Sequence, residues 1–236
     1  MTLLMKNLKR LMAVVVLLGL AHAPAYASST PLDDRIWEAK EVIEEIQSSP
    51  DQSIPEELLA KCEAIAIYPN VIKGGFVIGA RYGKGVVLRK GNDGKWGPLA
   101  FSTIGGGSWG LQIGAQATDL ILVIMSERGL NGLLSSNFTL GVDGAATAGP
   151  VGRNASAGTD LSLRAEMYSY SRSRGLFGGI ALDGAVLTQD NNSNSLYYNK
   201  NVTSKDILLQ NEVKPQRTSK ELIEVLNKYS AQWKKK

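Results

Sequence analysis

Few residues in this chain could do chemistry. The only histidine is His22 and the only cysteine is Cys62. His22 sits in a leader-like opening: Lys6, Lys9 and Arg10, the uncharged run Leu11–Leu20, then Ala21-His22-Ala23 and Ala25-Tyr26-Ala27. This order of charge, short apolar run and alternating small residues is that of a secretory signal peptide. Ten apolar residues are about half of a bilayer span. Cleavage after Ala27 is expected, leaving 209 residues from Ser28. A mature chain without histidine runs no Ser-His-Asp triad, no Cys-His dyad and no His-ligated zinc site. Cys62 by itself makes no internal disulfide, and it lies 35 residues past the cleavage point, so it is not a lipid-anchored first residue. The expected location is outside the cytoplasm: periplasmic in a Gram-negative cell, with room for peripheral membrane association.

Several glycine motifs imitate enzyme fingerprints. Gly106-Gly107-Ser108-Trp109-Gly110 fits G-x-S-x-G, which needs a strand-to-helix turn and a histidine base. Gly105 to Gly110 fits G-x-G-x-x-G, which must open a helix. A strand pattern follows both, so they read as glycines at a bulge. Gly79–Gly85 resembles a P-loop with the wrong spacing and no Ser/Thr after Lys84. Asp190, Asn192 and Asn194 begin a calcium-loop spacing, but Ser195 and Asn201 stand where glycine and glutamate belong. A solvated loop is the expectation there. Asp143 and Asp183 precede glycines, as turn formers do. A carboxylate-only enzyme built from Asp119, Asp143, Asp160, Glu166 or Asp183 would need two of them in one cleft.

The leader carries three of the 26 Lys and Arg residues and none of the 22 acids, so the mature chain is close to neutral at +1. That balance, without a clustered basic face, does not indicate nucleic acid. Basic residues of the middle region include Lys73, Arg81, Lys84, Arg153, Arg164, Arg172 and Arg174. They could form an anion-binding face for lipid headgroups or phosphate; the alternative is an ordinary solvated strand face. Lys73, Arg81, Lys84, Arg172 and Arg174 are the candidate headgroup contacts, with Trp109 and Phe177 for apolar contact. No cofactor is expected.

Glycine divides the mature chain. All 24 of its glycines lie between Gly74 and Gly184, about three times average usage. The first flank reads as two helices. Pro31 starts one, with Leu32, Ile36, Ala39, Ile43 and Ile46 at helical spacing; Pro55 starts the second. Pro69-Asn70 is expected to end the apolar run Ala64–Tyr68. The middle reads as antiparallel strands, with turns at Tyr82–Gly85 and Gly91–Gly94. From Ser108 the pattern alternates, and Leu120–Met125 is continuously apolar. Phe138–Val142, Leu161–Ser171 and Leu176–Leu187 complete the strands. The last flank reads as a polar loop over Gln189–Ser195, a short helix Lys205–Leu209 and a capped helix after Thr218.

The ordered motifs resemble the SYLF domain. They are Ile54-Pro55, Leu58-Leu59, Ala64–Pro69, Lys73–Phe76, Gly79–Gly85 and Gly105–Asp119. Phe138–Gly141, Ala148–Arg153, Thr159-Asp160 and Tyr168–Phe177 follow, so the resemblance spans residues 54–199. It implies binding rather than catalysis. Eukaryotic SYLF proteins bind phosphoinositide membranes and, in some members, actin; bacterial members are exported and described as lipid-binding. Membrane binding in the family is linked to a basic amphipathic first helix. Here Leu32–Gln47 carries six acids against two bases, which anionic lipid repels, and actin is not an expected partner of an exported protein. The expected architecture is one α+β domain over residues 28–236. A glycine-rich antiparallel sheet, strongly curved or barrel-like, packs with N- and C-terminal helices. The expected function is non-enzymatic lipid or membrane binding in the cell envelope, with an adaptor for another envelope protein as the alternative.

Overall fold

A computed structural model describes residues 29–49, 52–75, 78–109, 114–152, 165–173, 176–179 and 182–232. The chain divides into Met1–Thr30 and Pro31–Lys236, and the fold is that of the second unit. It is α+β, with a strongly curled half-barrel sheet and helices at both ends of the chain.

The helices are α1 (Pro31–Ser48), α2 (Glu56–Lys61), α3 (Glu127–Leu133), α4 (Asn191–Tyr198), α5 (Ser204–Leu208) and α6 (Lys220–Gln232). The long strands are β1 (Ala64–Gly75), β2 (Ile78–Lys90), β3 (Trp96–Trp109) and β4 (Gly114–Ile124). The short ones are β5 (Phe138–Thr139), β6 (Ala146–Ala148), β7 (Met167–Ser173), β8 (Leu176–Gly179) and β9 (Val186–Gln189). The sheet runs β5-β9-β3-β2-β1-β4-β7-β6, with β8 also on β7. All pairings are antiparallel except β6 with β7, which is parallel, so the sheet is mixed rather than purely antiparallel. Trp109, at the end of β3, and Gly114, at the start of β4, lie on opposite sides of the β1–β2 hairpin.

The central strands are apolar without alternation because both faces are buried. Ile65, Ile67, Val86, Leu88, Leu99, Phe101, Ile121 and Val123 face a layer made by α1, α2 and α6. Ala64, Ala66, Tyr68, Val87, Ala100, Leu120 and Leu122 face a second layer made by α3, α5 and the loops. Helix α1 is docked. Its stripe Leu32, Ile36, Ala39, Val42, Ile43 and Ile46 is buried, which contributes on the order of 10 kcal/mol as an upper figure. Its acidic side faces outward.

Three expectations are corrected. Pro69-Asn70 does not end β1; the strand bulges there and continues. Asn70 takes a left-handed φ of 51°, which asparagine tolerates, and its N–H donates to Asp119 Oδ1 at 2.9 Å. Proline has no N–H to lose at a bulge. Tyr82–Gly85 is not a turn either, since β2 runs through it paired with β3 at every residue and with β1 at Tyr82 and again from Val86, on either side of the β1 bulge. Gly83 and Gly85 are there for closeness: an added Cβ would stand 2.6 Å from Val71 Cγ2 or 2.2 Å from the Ile67 carbonyl oxygen. The chain reverses between Gly75 and Ile78; residues 76–77 lie outside the described set, as do residues 110–113 of the alternating run. Finally, Gln189–Ser195 is not a loop. Asp190 accepts the Ser193 N–H at 3.1 Å and caps α4, and buried Asn194 accepts the Phe101 N–H at 2.7 Å.

Cys62 is a core residue, and its thiol donates to the Leu59 carbonyl at 3.4 Å. Burial pushes the thiol up to about 11, so it stays protonated and shielded. A maleimide should label the folded protein at least about a hundredfold more slowly than the urea-unfolded protein. Equal rates would show that this core opens freely.

Candidate functional site

Four long strands carry their pairing beyond the helices. In this outer stretch the β3-β2-β1-β4 register aligns Gly105, Tyr82, Ile72 and Ala117 in one row. The adjacent row aligns Gly106, Arg81, Lys73 and Gln116. Strand alternation sends adjacent rows to opposite faces.

Lys73 and Arg81 therefore stand together on the face of the second layer, in line with Val71 and Val87. Tyr82 and Ile72 stand on the face of α1, as does Lys84, which is exposed. Ile72 and Tyr82 are 58% and 54% exposed, large apolar side chains with no layer over them.

The candidate cations are thus separated. Arg172, on β7, faces Asp119 across the β4–β7 pair and is tied to it at 2.6 and 2.7 Å. It also pairs with Glu45 of α1, so its charge is answered by two carboxylates. Burial raises the Asp119 carboxyl and the Asn70 N–H pulls it back; burial lowers Arg172. Lys73, Arg81 and Lys84 form no ion pair with any described residue. Burial lowers the Arg81 guanidinium, and its buried Nε–H has no hydrogen-bond acceptor. An unmet buried N–H costs on the order of 1–3 kcal/mol. Trp109 closes β3 opposite Ile78. Phe177 lies on β8 in register with Arg172. Arg174 lies outside the described residues, with Arg153, Arg164 and Asp160.

Two of the remaining candidate carboxylates share one cleft. A cleft of about 960 Å³ beside β6 gathers Asp143 and Glu166 with Arg128, Tyr168 and small residues. Both acids are engaged: Asp143 accepts the Thr139 N–H at 2.7 Å within its turn, and Glu166 pairs with Arg128 at 3.2 Å. Asp183 is exposed in a glycine turn packed against the turn of Asp143. Gly106–Trp109 lies wholly within β3, so no nucleophile elbow forms. Among the described residues no group of three His, Cys, Asp or Glu side chains is placed to hold a metal.

A family profile described as "Ysc84: Las17-binding protein actin regulator" matches residues 105–229, more than half of the chain. The chain belongs to the Ysc84 (SYLF) family. It is similar to "SH3 domain-containing YSC84-like protein 1" of Rattus norvegicus, 33% identical over 188 residues, covering 79% of this chain and 55% of the relative. The Homo sapiens counterpart is 32% identical over 188 residues, covering 79% of this chain and 54% of the relative. "Protein YSC84" of Saccharomyces cerevisiae is 34% identical over 162 residues, covering 67% of this chain and 34% of the relative. The chain thus spans about half the length of the animal SYLF relatives and about a third of the yeast one. The profile begins at Gly105, so the row holding Lys73 and Arg81 enters the family match only through the longer pairwise alignments. Sequence reasoning named both cations but not their pairing, which depends on the β1–β2 register.

Proposed function

We propose that this chain is a non-enzymatic lipid-binding protein of the cell envelope that meets an anionic membrane with the outer end of the β1–β4 sheet. One observation supports this most: Lys73, Arg81 and Lys84, unpaired among the described residues, flank the exposed pair Ile72 and Tyr82. The docked stripe of α1 is unavailable for this role, and its acidic face is unsuited to it.

Each cation near an anionic surface contributes about 1 kcal/mol, and partial burial of two apolar side chains about 3 kcal/mol. The sum, about 6 kcal/mol, corresponds to a dissociation constant on the order of 10–100 μM. Binding of that strength is reversible and salt-sensitive. Flotation with phosphatidylglycerol/phosphatidylethanolamine vesicles should carry the protein upward at low salt and release it at high salt. Ile72→Asp with Tyr82→Asp should weaken it about tenfold or more. No flotation of the unaltered protein would discard the membrane reading.

The family description favours a second reading, an adaptor for another protein, because it names a Las17-binding actin regulator. Under that reading the Ile72–Tyr82 pair is a protein contact, and binding to a partner is independent of lipid. The envelope placement rests on the leader pattern of residues 1–27. N-terminal sequencing of the protein from its native cells should start at Ser28; a start at Met1 would remove that placement.

A further inference from the structure

We propose that Lys73 and Arg81 form a phosphate-binding site, resting on the membrane reading for its natural source but separable from it by experiment. The two cations are directly opposed in the antiparallel β1–β2 register. Directly opposed like charges destabilise a sheet. Elsewhere this sheet matches its charges across strands, as Arg172 does with Asp119. Here no described carboxylate answers either cation.

The surroundings fit an oxyanion. On the same face the register positions neighbouring Arg81 on β2 and β3 are Gly79, Gly83 and Gly106, which put no side chain over the guanidinium; Gln116 lies in register beside Lys73. Gly106 has a φ of 138°, and a Cβ there would stand 2.5 Å from the Gly184 carbonyl oxygen, so the Gly184 backbone packs close over the position that faces Arg81 on β3. The buried Nε–H of Arg81 lacks an acceptor. A phosphate group supplies several acceptor oxygens and the negative charge in one body, and guanidinium is suited to hold it through two N–H bonds. A lipid phosphodiester and a soluble phosphate ester share this chemistry.

The test titrates inorganic phosphate into the purified protein at constant ionic strength and follows both the melting temperature and the amide NMR shifts. Phosphate should raise the melting temperature and move the amides of Arg81 and Gly106. Lys73→Gln with Arg81→Gln should weaken the response at least about tenfold. Lys220→Gln, at an exposed position on α6, should leave it unchanged. Vesicle flotation of the same variants assigns the source. Parallel loss of phosphate response and flotation identifies a lipid headgroup. Loss of the phosphate response with flotation retained identifies a soluble phosphate compound. An absent phosphate response in the unaltered protein, or an equal one in the folded double variant, overturns the site whatever flotation shows. Lys73→Gln alone, at a partly exposed position, serves if the double variant does not fold.

Discussion

Gly85→Ala should lower stability by about 3 kcal/mol or more, a fall in melting temperature of about 10 °C for a domain of this size. The new Cβ would stand 2.2 Å from the Ile67 carbonyl oxygen and 2.5 Å from Tyr68 Cδ1. Neither can retreat. Ile67 is paired on both sides, with Val86 and with Ile121. Tyr68 is fully buried, and its hydroxyl shares a 3.0 Å hydrogen bond with Ser102 Oγ, which donates to the Thr188 carbonyl at 3.0 Å. The tyrosine ring thus occupies the space a side chain at residue 85 would need, beside the bulge of β1. Gly74→Ala is the control, because nothing lies within 4 Å of its Cβ; it should change stability by less than about 0.5 kcal/mol. Urea unfolding of both variants measures the contrast. A Gly85→Ala protein within about 1 kcal/mol of the original would mean that β1 and β2 are not this close.

That glycine shows where sequence reading stopped. The apolar run Leu120–Met125 identified a strand buried on both faces, and the stripe from Leu32 to Ile46 identified α1, since burial leaves its period in the sequence; Ala64–Tyr68, read only as an apolar run ended by Pro69-Asn70, proved to open β1. Glycine carries no such mark. In Tyr82–Gly85 the same residue type that makes turns instead lets β2 approach β1, and only the partner strand decides between them. The error propagated to the site. With a turn at Tyr82–Gly85, Arg81 and Lys84 have no defined faces. In a continuous strand, their spacing of three puts them on opposite sides. Pairing was less legible still. Lys73 and Arg81 meet because of the β1–β2 register, and Arg172 is neutralised by Asp119, 53 residues away, and by Glu45 of α1. Asp190 was similarly ambiguous: a polar Asp-Asn-Asn-Ser-Asn stretch suits a loop, yet Asp is also a strong helix cap, and buried Asn194 fixes that cap against β3.

Asp190→Ala should cost about 3–4 kcal/mol, because one carboxylate holds two structures. It caps α4 by accepting from the Ser193 N–H at 3.1 Å and from the Ser193 hydroxyl at 2.7 Å, which is worth about 1 kcal/mol. It also accepts from Arg35 Nη1 of α1 at 3.2 Å. The Arg35 guanidinium lies 5.0 Å above the Phe101 ring and is only 8% exposed. Without its carboxylate it becomes a nearly buried, unanswered charge, which costs about 3 kcal/mol at the lower end of such cases; the lower end applies because Asp190 keeps 18% exposure. Asp190→Asn retains the cap and should recover about 1 kcal/mol. The pH dependence has a definite sign. Burial by itself raises the Asp190 carboxyl, but the Ser193 hydrogen bonds and Arg35 outweigh it and hold the group below its ordinary 3.8. The folded protein therefore takes up this proton at lower pH than the unfolded chain. The stabilisation is fully present above the unfolded value and is lost as pH falls through the folded one. The stability gap between the original protein and Asp190→Asn should be constant from about pH 5 to 8 and close below about pH 4. Urea unfolding across that range measures it. A gap that persists at pH 2.5, or one absent at pH 7, would show that the Arg35–Asp190 pair does not hold α1 to α4.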